Sequence, residues 1–324
     1  MIDYVKKVAV TTILLSAAYA SQSFAYEGGV IPYPPGAAGT NFANFPPIPG
    51  LFVLQQFNYT FSNGLYGNDG NKLPIPFHSS VFSSTTRLLA AYPFKPFGVS
   101  LYSQLVLPAV SLHTNVAGNK DTQNGLANIT VSPIIVGLHP FPNVEIATGI
   151  DVATETGSYS PTKPSVAVGY TSVQPVFSIR YNNPSGLDIG VSNRFLLNTR
   201  NSQTDYRSGD GYVAEFTAGW NFGKWKLGVV GAYSNQYSDD RLHGNAIPGN
   251  RAKTFGIGPS IVYDFGPVNV NLNYQQGVYA ANTSKGNAVW LNLAIPLWAK
   301  VPESYTQRPS TPDVRLGDAG LVKE

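Results

Sequence analysis

The chain has 324 residues and a formal net charge of +3, with 12% charged residues, no cysteine, 32 Gly, 19 Tyr and 17 Phe. Charged residues make up roughly 25% of an average protein, so a secreted chain this poor in charge needs an exterior that faces something other than water. The near-neutral balance gives no argument for a nucleic-acid partner, and without cysteine there are no disulfides, no thiolate metal sites and no lipidated cysteine.

Lys6 and Lys7 precede an apolar run from Val8 to Ala18, and Ser23-Phe24-Ala25 places small residues at the two positions a signal peptidase reads. Residues 1–25 are therefore expected to be a secretory signal peptide, leaving a chain that begins Tyr26-Glu27. Ala18-Tyr19-Ala20 is an alternative cleavage site. The apolar run is well short of the roughly 20 residues a spanning helix needs, and no later segment reaches that length either. Because the leader carries Asp3, Lys6 and Lys7, its removal lowers the formal charge from +3 to +2.

Residues 26–49, "YEGGVIPYPPGAAGTNFANFPPIP", are too rich in Pro and Gly for ladder strands. They are expected to lie in the periplasm or to fold up into a barrel lumen, and in the second case Tyr33, Phe42 and Phe45 are the plug candidates. From residue 50 the pattern changes. In "VNVNLNYQ", Val268, Val270, Leu272 and Tyr274 alternate with Asn269, Asn271, Asn273 and Gln275. In "YVAEFTAGWNF", Tyr212, Phe216 and Trp220 oppose Glu215, Thr217 and Asn221. Period-two alternation is a strand with one apolar and one polar face. A soluble sandwich would bury the apolar face, whereas an outer-membrane barrel turns it to lipid and lines its lumen with the polar one.

About twelve such strands are expected, starting near Leu51, Val81, Val99, Ala127, Val144, Val166, Leu187, Tyr212, Trp225, Thr254, Val268 and Ala288. Their connections alternate. Residues 93–96, 139–143, 182–186, 223–224 and 266–267 are tight turns, while 62–80, 111–126, 157–165, 199–211, 238–253 and 280–287 are long loops. Short periplasmic turns opposite long extracellular loops are the mark of an outer-membrane barrel. Tyr92, Tyr181, Phe222, Trp225, Phe265 and Trp298 stand at strand ends beside the short turns, where an interfacial girdle belongs. The reading is all-β: a transmembrane antiparallel up-and-down barrel over residues 50–298, followed by a polar periplasmic tail over 299–324.

Parity sends Arg87, Glu145, Glu155, Asp151, Arg180, Asp188, Arg194, Glu215, Lys226 and Asp264 toward the lumen, with Asn269, Asn271 and Asn273 as an amide wall. Such a set can select solutes at a polar constriction, or its two signs can satisfy each other across a narrow interior. About twelve strands leave a narrow lumen. The four histidines, His78, His113, His139 and His243, are scattered, so no metal or cofactor site is expected. A hydrolase would need a serine with a histidine base, and His78-Ser79-Ser80 is the nearest approach to that.

Glu27-Gly28-Gly29, Tyr33-Pro34-Pro35-Gly36 and Pro46-Pro47-Ile48-Pro49-Gly50-Leu51-Phe52, leading into a strand with Tyr59, resemble the family named for the MetA pathway of phenol degradation. The resemblance implies an outer-membrane transport barrel associated with catabolism of aromatic or hydrophobic compounds. The tail after Trp298 departs from the terminal aromatic with which such barrels usually end, and which barrel assembly machinery recognises. The expected function is passive uptake of a small, hydrophobic or aromatic molecule, by a non-enzymatic channel whose partners are the solute, outer-membrane lipid and the assembly machinery. The alternative is a structural or adhesive barrel acting through its long loops. The orientation is testable. Tags at Asn71-Lys72 and Gln203-Thr204 should be reachable on intact cells and a tag at Lys224 should not, and surface labelling at Lys224 alone would invert the topology.

Overall fold

A computed structural model describes residues 24–266 and 268–299. The leader through Ser23, Pro267 of the last tight turn and the tail after Ala299 lie outside the described residues. The strands are β1 (Gly50–Tyr66), β2 (Phe77–Ala91), β3 (Ser100–Val116), β4 (Asn119–Leu126), β5 (Thr130–Phe141), β6 (Val144–Ala153), β7 (Ser172–Asn182) and β8 (Leu187–Asn198). They continue with β9 (Tyr206–Arg207), β10 (Gly211–Phe222), β11 (Trp225–Gln236), β12 (Arg241–Leu242), β13 (Asn245–Ala246), β14 (Lys253–Asp264), β15 (Asn269–Ala281) and β16 (Thr283–Ala299).

Each long strand pairs antiparallel with its neighbours, β2 pairs with both β1 and β3, and β1 pairs with β16, so the sheet closes on itself. Twelve strands form the ring. β4 pairs only with β3 and stands above the ring, while β9, β12 and β13 form a small sheet of their own in the loops. Closure removes the edges that an open sheet would expose, and it lets the wall strands satisfy their backbone groups by pairing with one another. No helix among the described residues is long and apolar enough to cross a membrane.

The faces decide which solvent surrounds the barrel. Leu272 is 46% exposed, whereas Asn271 and Asn273 on either side of it are 1% exposed. Phe82, Ile189, Trp220 and Leu227 are likewise exposed while Gln174, Arg180, Asp188 and Glu215 are buried. A water-soluble sandwich would show the reverse, so the outer face is built for lipid. At the short-turn rim, Phe222 pairs with Trp225 across a two-residue turn, and Trp225, Tyr263 and Phe265 pack tilted and edge-on with centroids 4.4 Å apart in each step. Trp290 faces inward and is buried against Tyr33.

Several expected boundaries move. The strand expected from Val166 begins at Ser172, because Val166, Ala167, Val168 and Tyr170 fold over the barrel mouth and are buried there. Asn128 clamps that stretch through paired 2.8 Å bonds to the backbone of Val168. Residues 111–126 are not loop but the β3–β4 hairpin, β2 starts at Phe77 and β5 at Thr130. Residues 280–287 are not a long loop either. Asn282 alone turns the chain, at φ 49°, a left-handed conformation that Asn tolerates. Its side-chain amide donates to Gly249 and Arg251 carbonyls of the adjacent loop. The β15–β16 ladder stops at Gln275 and Ala288 although both strands continue. Above that level β15 stays with β14 and β16 with β1. Glu155 and Asp264 do not reach the lumen: Glu155 is exposed in the loop after β6, and Asp264 is exposed at the last short turn, where it accepts from Gly266 N–H. Glu155 lies beyond the end of β6, where parity no longer applies, and Asp264 is the last residue of β14, at the rim of the wall.

Phe216 sits at mid-strand on the lipid face and stacks on Phe255. Phe216→Arg should cost roughly 2–4 kcal/mol and lower the yield of assembled barrel. Thr217→Ser, on the lumen face, should leave it unchanged, as read by heat-modifiable gel mobility.

Candidate functional site

Residues 24–49 run through the interior of the ring from the mouth that carries the long loops to the short-turn end, where β1 begins. At the mouth, Ala25 N–H donates to the Asn282 carbonyl (3.0 Å), Tyr26 N–H to Asp240 Oδ2 (3.0 Å) and Glu27 N–H to Ser208 Oγ (3.0 Å). The Glu27 carboxylate accepts from Tyr159 Oη, Thr204 Oγ1 and Asn201 Nδ2. Gly28 and Gly29 take positive φ, which turns the chain downward.

At mid-height the Tyr33 hydroxyl donates to Glu215 Oε2 (2.6 Å) and the Ala38 N–H to Glu215 Oε1 (2.9 Å). Arg194 lies 4.0 Å over the Tyr33 ring and donates to Asp151 Oδ2 at 2.6 Å. A guanidinium over an aromatic face is attracted by the ring quadrupole as well as by its carboxylate partner. Opposite, the amides form a wall. Asn273 donates to Asn271, Gln275 to Asn273, and Asn292 to Asn271, with separations of 2.9–3.0 Å. Gln275 also donates to the Gly36 carbonyl (3.1 Å) and Gln56 to that of Ala37 (2.8 Å). Gly36 has φ +95°, and a Cβ there would stand 2.3 Å from Gln275 Oε1. Only glycine fits this contact.

Below, Arg180 donates to both oxygens of Asp188 at 2.7 Å and to the carbonyls of Thr40 (2.8 Å) and Phe42 (3.4 Å). Lys226 adds a 2.6 Å bond to Asp188. Glu145 stands opposite Arg180 in the β6–β7 register, with one carboxylate oxygen buried and unbonded. Phe45 stacks on Tyr102 at 4.8 Å, and the Tyr102 hydroxyl donates to the Pro46 carbonyl.

Between this lower end of the segment and the barrel wall lies a cavity of about 460 Å³. Phe42, Phe45, Phe52, Leu89 and Ile135 give it an apolar lining, and Arg87, Arg194, Asp151 and Asn269 supply polar groups. Arg87 differs from the other lumen arginines: its Nε has no hydrogen-bond partner and no carboxylate lies within ion-pair distance of it among the described residues. Its guanidinium is the group there that a polar end of a bound molecule could engage.

The interior thus brings together Arg87, Glu145, Asp151, Arg180, Asp188, Arg194, Glu215, Asn269, Asn271 and Asn273 with Tyr33, Phe42 and Phe45. Sequence reasoning missed Asp240, which sits in a loop where alternation has no meaning. Alternation along β7 sets Gln174 on the polar side with Ser178 and Arg180, and there it accepts from Arg194 at 2.7 Å. His78 bonds Asn63 rather than a serine, and both lie at the exposed mouth. Among the described residues no group of three or more His, Cys, Asp or Glu could hold a metal.

A closed twelve-strand ring with a lipid-facing apolar exterior and a polar, segment-filled interior is an outer-membrane β-barrel. This chain belongs to the family described as "Putative MetA-pathway of phenol degradation", whose model matches residues 62–293. Among solved structures it is similar to the COG4313 outer membrane channel of Pseudomonas putida F1, with 14% identity and a TM-score of 0.71 over 79% of this chain and 98% of that one. That likeness is one of fold. The NanC porin (12% identity, 76% of this chain and 100% of that one, TM-score 0.43) and the β-domain of a Bordetella autotransporter (10%, 77% and 99%, 0.44) share a barrel too loosely to carry an argument. No curated protein matches the chain.

Breaking a buried ion pair by removing one partner leaves an uncompensated charge at a cost of about 3–5 kcal/mol. Arg180→Ala should therefore lower resistance to urea unfolding by that order, and Arg180→Ala with Asp188→Ala should recover part of it. Tryptophan fluorescence in detergent reads both.

Proposed function

We propose that the protein admits a small, hydrophobic or aromatic compound across the outer membrane by passive diffusion, with residues 26–49 as a lumen plug that sets selectivity. The observation that carries this reading is the cavity of about 460 Å³ at the lower end of the segment, whose Phe42, Phe45 and Phe52 walls suit an aromatic ring. Ligand sites are commonly apolar clefts with a few placed polar groups, and this one has that composition. The family description points toward phenol degradation, and catabolism inside the cell would maintain the inward gradient. Outer-membrane lipid and the barrel assembly machinery are the further partners this reading requires. The reading is non-enzymatic.

The plug is held by hydrogen bonds at its mouth, middle and lower levels, and its prolines reduce the entropy lost on fixing it. A solute passes by local displacement of the segment rather than through an open pore. Deleting residues 28–44 while keeping Pro46 to Gly50 should leave a folded barrel with higher and less selective conductance in planar bilayers. Liposomes carrying the native protein should admit phenol-sized aromatics faster than sugars of similar mass. Unchanged conductance in a well-folded deletion would remove the plug, and equal flux of both solutes would remove the aromatic preference.

A further inference from the structure

Asp240 lies in the loop between β11 and β14 and is wholly buried. Its carboxylate accepts from Tyr206 Oη (2.6 Å), Asn250 Nδ2 (2.9 Å) and Tyr26 N–H (3.0 Å) on one oxygen. The other accepts from Gly209 N–H and Gln236 Nε2. All five donors are neutral as drawn, and among the described residues no Lys, Arg or His stands within ion-pair distance. The basic groups of these loops are engaged elsewhere: Arg207 with Asp210, Arg251 with Asp239, and Arg200 and His243 with Asp205. Burial accordingly pushes the Asp240 carboxyl above its ordinary range, against the pull of its donors.

Glu27, one residue on from Tyr26, repeats the pattern, since Tyr159, Thr204 and Asn201 are all neutral partners. The buried Asp240 carboxylate thus meets the Tyr26 backbone nitrogen with no cation beside it, an arrangement that is costly to bury. Tyr26 itself is held at φ 61°, a left-handed conformation that a bulky side chain rarely adopts. That torsion exists only while the Ala25–Tyr26 peptide bond does.

We infer that removal of the leader after Ala25 makes the Tyr26 α-ammonium the missing counter-ion of Asp240, and that this pair latches the extracellular end of the plug. In the cleavage, water adds across the Ala25–Tyr26 bond. Ala25 departs with the leader as a carboxylate, and the Tyr26 nitrogen gains protons to become an ammonium. The 3.0 Å contact that a peptide N–H makes to the Asp240 carboxylate becomes an ion pair, in which donor and acceptor both carry charge. The left-handed torsion at Tyr26 ceases to be a constraint. In the uncut precursor the site keeps its carboxylate without a cation, so the ion pair is added to the hydrogen bonds of the upper end only in the processed chain.

The mature protein extracted from outer membranes should begin at Tyr26 by intact mass. Treated near neutral pH with an amine-reactive acylating reagent, its α-amine should react at least ten-fold more slowly than that of Asp240→Asn. A second variant, with Gly-Gly inserted between Ala25 and Tyr26, keeps Asp240 but moves the ammonium out of reach. Its α-amine should label at the Asp240→Asn rate, and it carries the comparison if Asp240→Asn fails to assemble. A first residue of Ser21, or native labelling as fast as in either variant, overturns the latch. Neither readout involves solute passage, so the latch and the uptake reading stand or fall separately.

Discussion

Arg180 joins the wall of the barrel to the chain that fills it. One guanidinium is bidentate to Asp188 on the next strand and reaches the carbonyls of Thr40 and Phe42 in the segment. It is 1% exposed, in an interior where an unpaired charge is strongly penalised. Neither partner is sufficient alone: Asp188 neutralises the charge, while the carbonyls use a donor that Asp188 cannot take. Glu215 repeats the logic with opposite sign, receiving Tyr33 Oη and Ala38 N–H from the segment. The ring and its filling are therefore one hydrogen-bonded unit, because each leaves polar groups that the other satisfies.

That mutual satisfaction explains why the cavity lies where it does. Where the segment offers bare carbonyls and N–H groups, the wall answers with hydrogen bonds from Gln56, Gln275 and Arg180 and to Glu215. Lower down, Phe42 and Phe45 present apolar rings instead, and the wall answers with Phe52, Leu89 and Ile135. Apolar surfaces make no directional demand for closure, so the interior loosens into a space of molecular size.

Much of the ring could be read from alternation alone, since each wall strand has a lipid face and a lumen face that differ sharply in polarity. Val144, Leu187 and Trp225 begin strands in both readings for that reason. Prediction failed where a third environment intrudes. Val166 to Tyr170 is as apolar as a strand because it is buried, yet it is buried under the mouth loops rather than in the wall. The turn at Asn282 was hidden because its partners, Gly249 and Arg251, are distant in sequence. The lumen set had the same division: parity can assign Arg180, Asp188, Arg194 and Glu215 to one side, but only the ring order brings Arg194 to Asp151 and Lys226 to Asp188. Asp240 lacked any local signal, since a loop acid is ordinarily solvated.

The seam between β1 and β16 has a consequence for the order of assembly. Gly50 pairs with Ala299, so the ring cannot shut until the final strand has been delivered, and Gly50 directly follows the interior segment. Contacts between such distant parts of a chain form late, because a long loop must be closed before they give any return. While that seam is open, the lumen is a trough rather than a tube, and the segment can be laid in from the side. Threading through a finished ring is then unnecessary, and the last pairing of the wall encloses what has already been placed inside it.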